Sequence, residues 1–540
     1  MSKIKSFFEK NWLNIVIISL FVIVALCMSR YHEKWSDEAQ SWLIARDLSV
    51  PEIIRYIKYE GTPPLWVFII KIFMAFGMTY EYFFIISIIF MTLGLIFMYT
   101  KYDVPWYVKV LFPFTYYAFF QTTIVIRSYS LILLGICMVF YYFPRRYEKM
   151  WKFYFSLLYF MCISLHTYFV AAGFYAILLL FFVKDYKYID PDLKKKMIKL
   201  CILIFITFLI ILIMLFPNSK FGYGGNDGSD IFYIVGESTI ADGNMVIRVL
   251  STISLIFVVL YITIKNFLNT ENKYEAIKEF EKLIVIFPLF ILYTIINSQV
   301  RYFAILYFII VLFLVNNKKY IVARWGLVII LMVQFVWNIN SCKIDYHENY
   351  AVGEEIADFL KMVDYQDKVV DALNFHIVEI SPYFEGNVFK HSFKTDDAFF
   401  PWIYDSKNAK EDELLSNKAD IYIMTLLTGE MKGEETKYKK IPNVVKFMSY
   451  IDYDEYTLYS IEAKLPQKSR VREYDKFLIF VNQEVKKEIE EKGIDLKRED
   501  GKINIEEDGE IVQIFDYTHE DNIQIKYRKK GEKEWSILKN

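Results

Sequence analysis

The sequence predicts a polytopic α-helical membrane protein with an extracytoplasmic α/β domain at its C-terminal end. Three observations predict it. The 540-residue chain is 55% hydrophobic and 19% aromatic. Apolar stretches of membrane-spanning length recur through residues 11–341 and then stop. Lysine and arginine cluster between those stretches, which assigns a side of the membrane to each connection. Net charge is only −1, so no basic field points to nucleic acid.

The first apolar segment, Leu13 to Met28, follows Lys3, Lys5 and Lys10 and precedes no small-residue cleavage site. It reads as an uncleaved anchor helix with its start in the cytoplasm. Basic clusters follow at Lys101/Lys109, Arg145–Arg146–Lys149–Lys152, Lys184–Lys199, Lys265–Lys282 and Lys318–Lys319–Arg324. Placing all five in the cytoplasm leaves an apolar hairpin between each neighbouring pair. The outer turns then fall near Arg127, near His166, at 217–245 and near Ser298–Arg301. A last helix over 325–341 leads outward, so 343–540 is extracytoplasmic, as is the first outer loop, 30–63. Residues 64–100 must cross an odd number of times, yet they read as two apolar segments broken at "FGMTYEY", with Lys71 inside the first. A tilted or re-entrant helix there restores parity, and about 11–13 transmembrane helices result.

Domain organisation follows: a membrane domain over 1–341 and a soluble domain over 342–540. In the latter, "EEIADFLKMV" has helical periodicity, and "KVVDAL" and "ADIYIMT" read as short strands. An α/β part over 343–465 with a β-rich extension is expected. Cys27, Cys137, Cys162 and Cys201 lie in apolar helices and Cys342 at the boundary. They offer neither a disulfide framework nor a CxxC metal site.

The first outer loop carries an adjacent Asp37–Glu38 pair in "SDEAQSWLIARDL". Ser36 is its candidate N-cap, and acidic side chains in a first turn are favoured by the helix dipole. Ala39, Trp42, Leu43 and Arg46 suit a helix lying on the membrane surface. A second helix opens at "SVPEIIRYIKY", with Ser49 and Glu52 as a capping box and Pro51 in the first turn. The pair is thus either a well-capped helix start or chemistry. The glycine-rich "GYGGNDGSD" at 222–230 follows no strand and lacks the spacing of a calcium loop, so it reads as a connection.

"YEGTPPLWVF", residues 59–68, places Glu60 and Gly61 ahead of Pro63–Pro64 and an apolar helix. Together with "DEAQSW" it resembles the first outer loop of the GT-C membrane glycosyltransferases, among them the protein O-mannosyltransferases and lipid A aminoarabinose transferases. "QTTIVIRSYSLIL" around Arg127 and Tyr129 continues the resemblance, as do "SLHTYFVA" around His166 and "SQVRYFAILYF" around Arg301 and Tyr302.

The resemblance implies a GT-C-like fold over residues 1–340. It implies transfer of a sugar from a polyprenyl-phosphate donor to a glycan, lipid or protein acceptor at the outer face, with inversion. Asp37, Glu38 and Glu60 are then the acidic site residues, Asp37 as the base toward an acceptor hydroxyl. Arg127, Tyr129, His166, Arg301 and Tyr302 would bind the donor phosphate. Glu60 matches a position that helps bind a divalent metal in some members. No accompanying histidine is found by motif, which leaves a metal cofactor open.

Each residue also has a plainer reading. Arg127 and Arg301 can anchor helix ends at headgroups of the membrane lipid, His166 can be a packing residue, and Glu60 can balance Lys58. A membrane transporter or lipid flippase is the competing class. It calls for ionisable residues near mid-membrane on several helices, whereas here, apart from Lys71, they gather at the outer side. A scaffold displaying its outer domain leaves "DEAQSW" and "YEGTPP" unexplained.

Overall fold

A computed structural model describes residues 2–216, 231–239, 245–269, 285–292, 294–295, 300–393, 395–400, 418–426, 430–432, 435–467, 470–518 and 523–539. The glycine-rich run 222–230 and the turn at Ser298 lie outside them. The described chain is mostly helical, and its strands all lie in the C-terminal region. Among the described residues, six helices are long and apolar enough to cross a membrane: Asn11–Met28, Tyr80–Lys101, Leu165–Asp185, Pro191–Leu215, Met245–Asn269 and Ile321–His347. Shorter apolar helices occupy Leu65–Ala75, Ser128–Tyr142 and Val300–Asn316.

Length resolves the ambiguous stretch after Pro64. The helix Leu65–Ala75 has 11 residues, about 16 Å at 1.5 Å per residue and roughly half a hydrocarbon core. It ends at Gly77, whose φ of +87° suits glycine. Tyr80–Lys101, with 22 residues, is the one helix of crossing length in this stretch. Lys71, on the short helix, donates from Nζ to the Leu48 carbonyl at 2.7 Å, so its charge is met by a backbone acceptor.

The chain divides into two compact units: residues 1–30 with 48–342, and residues 31–47 with 343–540. The helix Ser36–Asp47 therefore belongs with the C-terminal unit, not with a continuous loop over 30–63. It is not a surface helix. Ala39, Trp42, Leu43, Ile44 and Ala45 are all buried, and it packs on the 3-10 stretch Phe375–Tyr383. Gln40 bonds Phe400 in both directions, Nε2 to the carbonyl at 3.0 Å and Oε1 from the amide at 2.8 Å. The Arg46 guanidinium donates to the Phe384 carbonyl at 2.9 Å. An amphipathic pattern cannot tell a lipid surface from a protein surface, and here the partner is protein.

The C-terminal unit holds two sheets. The first has the order β1 (Val370–Leu373), β2 (Ile421–Leu426), β6 (Arg470–Asn482), β5 (Tyr456–Gln467); β1 and β2 are parallel and the other pairs antiparallel. The second runs β10 (Ser536–Lys539), β9 (Gln524–Tyr527), β8 (Glu510–Asp516), β7 (Lys502–Glu507), β4 (Glu435–Lys439), β3 (Glu430–Lys432). Both sheets take strands from either side of residue 465, because β5 pairs with β6 and β4 with β7. The expected division into an α/β part and a β-rich extension therefore does not hold.

Side-chain alternation explains why β2 and β6 are so apolar. Ile421, Ile423, Phe477, Ile479 and Val481 fill one core with the helix Gly353–Met362. Tyr422, Met424, Leu478 and Phe480 fill another with the helix Pro442–Tyr450 and strands β7 and β8. A sheet buried on both faces reads as a continuous hydrophobic run.

Gly353 opens its helix against Glu379, whose carbonyl oxygen would lie 2.5 Å from an added Cβ. Backbone on both sides leaves little room to yield. Gly353→Ala should destabilise the protein by about 1–3 kcal/mol, the usual cost of overpacking. A thermal melt beside wild type measures this, and an unchanged midpoint contradicts it.

Candidate functional site

The expected site residues fall in two groups, one in each compact unit. In the membrane unit, Arg127, Tyr129, His166, Arg301 and Tyr302 form one cluster. The His166 ring stacks on Tyr302 with centroids 3.6 Å apart and an interplanar angle of 28°. Tyr129 meets the same ring edge-on at 5.9 Å. The Arg301 guanidinium lies 5.5 Å from the centre of the Tyr302 ring, and Arg127 lies 6.0 Å from that of Tyr129, within cation–π range. His166 and Tyr129 are each 2% exposed.

Local structure brings these residues to helix starts. Residues Tyr117–Ile124 form a π-helix, with wide bonds from the Gln121 amide to the Tyr116 carbonyl at 2.9 Å and from the Val125 amide to the Phe120 carbonyl at 3.0 Å. Such widened turns are frequent at functional sites. The backbone is extended at Arg127 (φ −137°, ψ 169°) and re-enters a helical turn at Ser128. His166 lies in the first turn of Leu165–Asp185, capped by Ser164 and Thr167 in reciprocal bonds of 3.2 and 2.9 Å. Arg301 and Tyr302 form the turn that leads into the helix Phe303–Asn316. Arg127, His166 and Arg301 thus each stand at or next to a helix start, which carries a partial positive charge, and the rings of Tyr129, His166 and Tyr302 join the three segments. This is an arrangement suited to an anion.

Glu60 lies in the same unit. It is half-buried after the turn Ile57–Tyr59, and Gly61 follows with φ +64°, a conformation that accounts for the glycine of the "EG" pair. Among the described residues no group of three or more His, Cys, Asp or Glu side chains is placed to hold a metal ion, so no ligand set is assigned around Glu60.

A further pair was not anticipated. Glu237, fully buried, bonds Arg248 at 3.0 and 3.1 Å, and Arg248 also lies 4.5 Å from the Tyr233 ring centre. Gly236 permits this contact, because a Cβ there would meet Arg248 at 2.9 Å.

In the C-terminal unit, Glu38 is fully buried and Asp37 half-buried. Ser36 is not the N-cap. The Ala39 amide bonds the Trp35 carbonyl at 2.9 Å, and Glu38 Oε2 accepts the Trp35 amide at 2.6 Å. Trp35 therefore caps the helix, with Glu38 completing half of a capping box. The Ser36 hydroxyl is drawn away to His376 Nδ1 at 3.2 Å.

Glu38 has a second partner. Its Oε1 lies 3.3 Å from His32 Nε2, and His32 Nδ1 lies 3.1 Å from Asp345 Oδ1. All three side chains are at most 1% exposed. Burial alone would strip the imidazole of its proton, but Asp345 and Glu38 more than offset it, and the pKa is pushed up to about 10. Glu33 accepts the Ala351 amide at 3.1 Å, and Glu379 the adjacent Val352 amide at 3.0 Å. Burial pushes Glu33 up to about 7 and Glu379 well above the carboxylate range.

Ser36, His376 and Asp475 have the composition of a hydrolytic triad but not its wiring. Asp475 Oδ2, at 3.3 Å, and the Ser36 hydroxyl both meet Nδ1 of His376, whereas a relay uses the two ring nitrogens separately.

Sequence reasoning missed His32, Asp345, Glu33, His376, Glu237 and Arg248. His32 stands close to Glu38 in "HEKWSDE", but Asp345 is 313 residues from His32, and no local pattern links them. Comparison with protein-family models, characterised proteins and solved structures gives no match.

The raised carboxyl gives a pH signature. Native Glu33 binds its proton up to about pH 7, whereas an unfolded glutamate releases it near 4.5. Between those values the folded state holds more protons, so stability falls as pH rises. Thermal midpoints from pH 4.5 to 7.5 should decline through this window, and Glu33→Gln should flatten the decline. An equally steep decline in the variant would remove Glu33 as its source.

Proposed function

We propose that this chain is an integral-membrane glycosyltransferase of the GT-C kind, which moves a sugar from a polyprenyl-phosphate donor to a hydroxyl-bearing acceptor. The observation that carries this reading is the meeting of Arg127, Tyr129, His166, Arg301 and Tyr302, which come from three separate stretches of sequence. Two guanidinium groups, two phenols, an imidazole and three helix starts suit a phosphodiester that joins a sugar to an apolar tail. The tail has the apolar helices of the same unit as its medium.

The chemistry needs one base and one anion site. Asp37 takes the proton of the acceptor hydroxyl as its oxygen attacks the anomeric carbon from the face opposite the phosphate. The bond from that carbon to the phosphate oxygen breaks, and the electron pair stays on the phosphate. A phosphate is already a stable anion, so no dedicated acid is needed, unlike the acid–base pair of glycosidases. Arg127 and Arg301 neutralise the charge that grows on the leaving oxygen. Glu60 orients the donor on this reading, and no step is assigned to a metal.

The competing reading is transport, and Glu237–Arg248 favours it, since ionisable pairs among membrane helices mark substrate paths. However, both residues lie near helix ends, Glu237 two residues from the end of Ile231–Thr239 and Arg248 fourth in Met245–Asn269. That position suits a clamp between neighbouring helices better than a midplane site.

Transfer assays with polyprenyl-phosphate sugars test the enzyme reading. Arg127→Ala and Arg301→Ala should each weaken donor use roughly ten- to a hundredfold, the range for hydrogen bonds to charged groups. Lysine should restore only part, because it lacks the bidentate fork. Asp37→Asn should fold, bind donor and lose on the order of a hundredfold or more in transfer rate. Full activity in all three variants would leave the arginines as anchors and Asp37 as a helix-start residue.

The same reading puts residues 343–540 outside the cell. A cysteine introduced at Glu484, on the exposed face of its helix, should react with an impermeant maleimide in intact cells. Labelling only after lysis would reverse the orientation.

A further inference from the structure

We infer that His32 and Asp345 are positioning residues for Asp37, and that Glu38 serves this clamp instead of acting as a second base. The inference rests on the glycosyltransferase reading for what Asp37 does, but its geometry is independent of it. Glu38 is occupied at both oxygens: Oε1 faces His32 at 3.3 Å and Oε2 holds the Trp35 amide at 2.6 Å. It is also fully buried, so an acceptor hydroxyl cannot reach it without breaking the helix start.

Asp37 stands between two anchors. On one side the Ser36 hydroxyl is fixed on His376 at 3.2 Å, and on the other Glu38 is fixed on His32. Ser36 and Glu38 are both fully buried, and Asp37 alone of the three keeps partial exposure. The Ser41 hydroxyl donates to the Asp37 carbonyl at 3.0 Å, tying the backbone of that residue to the next turn. Residues 36 and 38 are thus pinned on either side of the half-buried Asp37.

His32 is the part that makes this rigid. Its two ring nitrogens are engaged by different carboxylates, Nε2 by Glu38 and Nδ1 by Asp345. The planar ring therefore sets the distance between the helix start and residue 345. The Tyr350 ring, with its centroid 4.5 Å from that of His32, closes one side. A lysine in place of His32 would carry the charge but not the two fixed directions.

Placement matters to a base because a shift of about 1 Å in a reacting group can cost a hundredfold in rate. The test compares Asp345→Asn with His32→Gln in full-length protein. Asparagine keeps the shape and an oxygen for His32 Nδ1–H, and leaves the His32–Glu38 pair in place, so this variant should fold. The expected result for Asp345→Asn is a kcat lower by roughly ten- to a hundredfold, donor KM within about twofold, and faster amide exchange at residues 35–39. His32→Gln should lose at least as much kcat.

A purely structural clamp would instead lower kcat only in proportion to the folded fraction, and that result overturns the inference. So does wild-type kcat in both folded variants. If wild-type protein transfers no sugar from any lipid-phosphate donor, the functional reading falls. In that event, unchanged amide exchange in Asp345→Asn overturns the positioning inference separately.

Discussion

Taking charge out of water is the constraint that orders this chain, and the clamp of His32 between Glu38 and Asp345 is its sharpest instance. One cation and two anions are buried to at most 1% exposure, which is tolerable only with close pairing. The set still carries excess negative charge. Its neighbours Glu33 and Glu379, raised chiefly by their own burial, hold protons where exposed carboxyls would have lost them. Adjacent amides of Ala351 and Val352 then accept the role of donors to these two acids. A single desolvated cluster thereby joins residues 31–38 to the start of the C-terminal domain's first helix.

The same rule operates in the membrane unit with different partners. Glu237 is matched by Arg248, and Lys71 by the carbonyl of Leu48. Arg301 and Arg127 lie against aromatic rings, whose faces attract cations without adding a second buried charge.

What the sequence reveals is what depends on neighbours in sequence. Ser49 and Glu52 do form a capping box, with Glu52 accepting from the Ser49 amide at 2.8 Å and hydroxyl at 2.6 Å. Gly493 ends the helix Gln483–Lys492 in the left-handed conformation that glycine adopts without strain. Arg127, Tyr129, His166, Arg301 and Tyr302 were each legible as residues at apolar helix starts. Their assembly around the Tyr302 ring was not, because it depends on packing. Ser36 failed as an N-cap for the same reason, since His376, 340 residues away, competes for its hydroxyl. The helix over 36–47 formed, but its burial takes in Ser36, Glu38 and Gln40 as well as the apolar residues, which no surface-helix pattern indicates.

Adjacency of Asp37 and Glu38 suggests a pair of like function, and the geometry argues against it. Successive helical residues point about 100° apart, so one environment cannot serve both. Glu38 turns inward, where it caps Trp35 and balances His32. Asp37 is half-buried, between the buried Ser36 and Glu38. A catalytic base must give up its proton each cycle, and a buried, twice-bonded carboxylate is poorly suited to that. On the proposed reading, Glu38 belongs to the architecture and Asp37 to the chemistry.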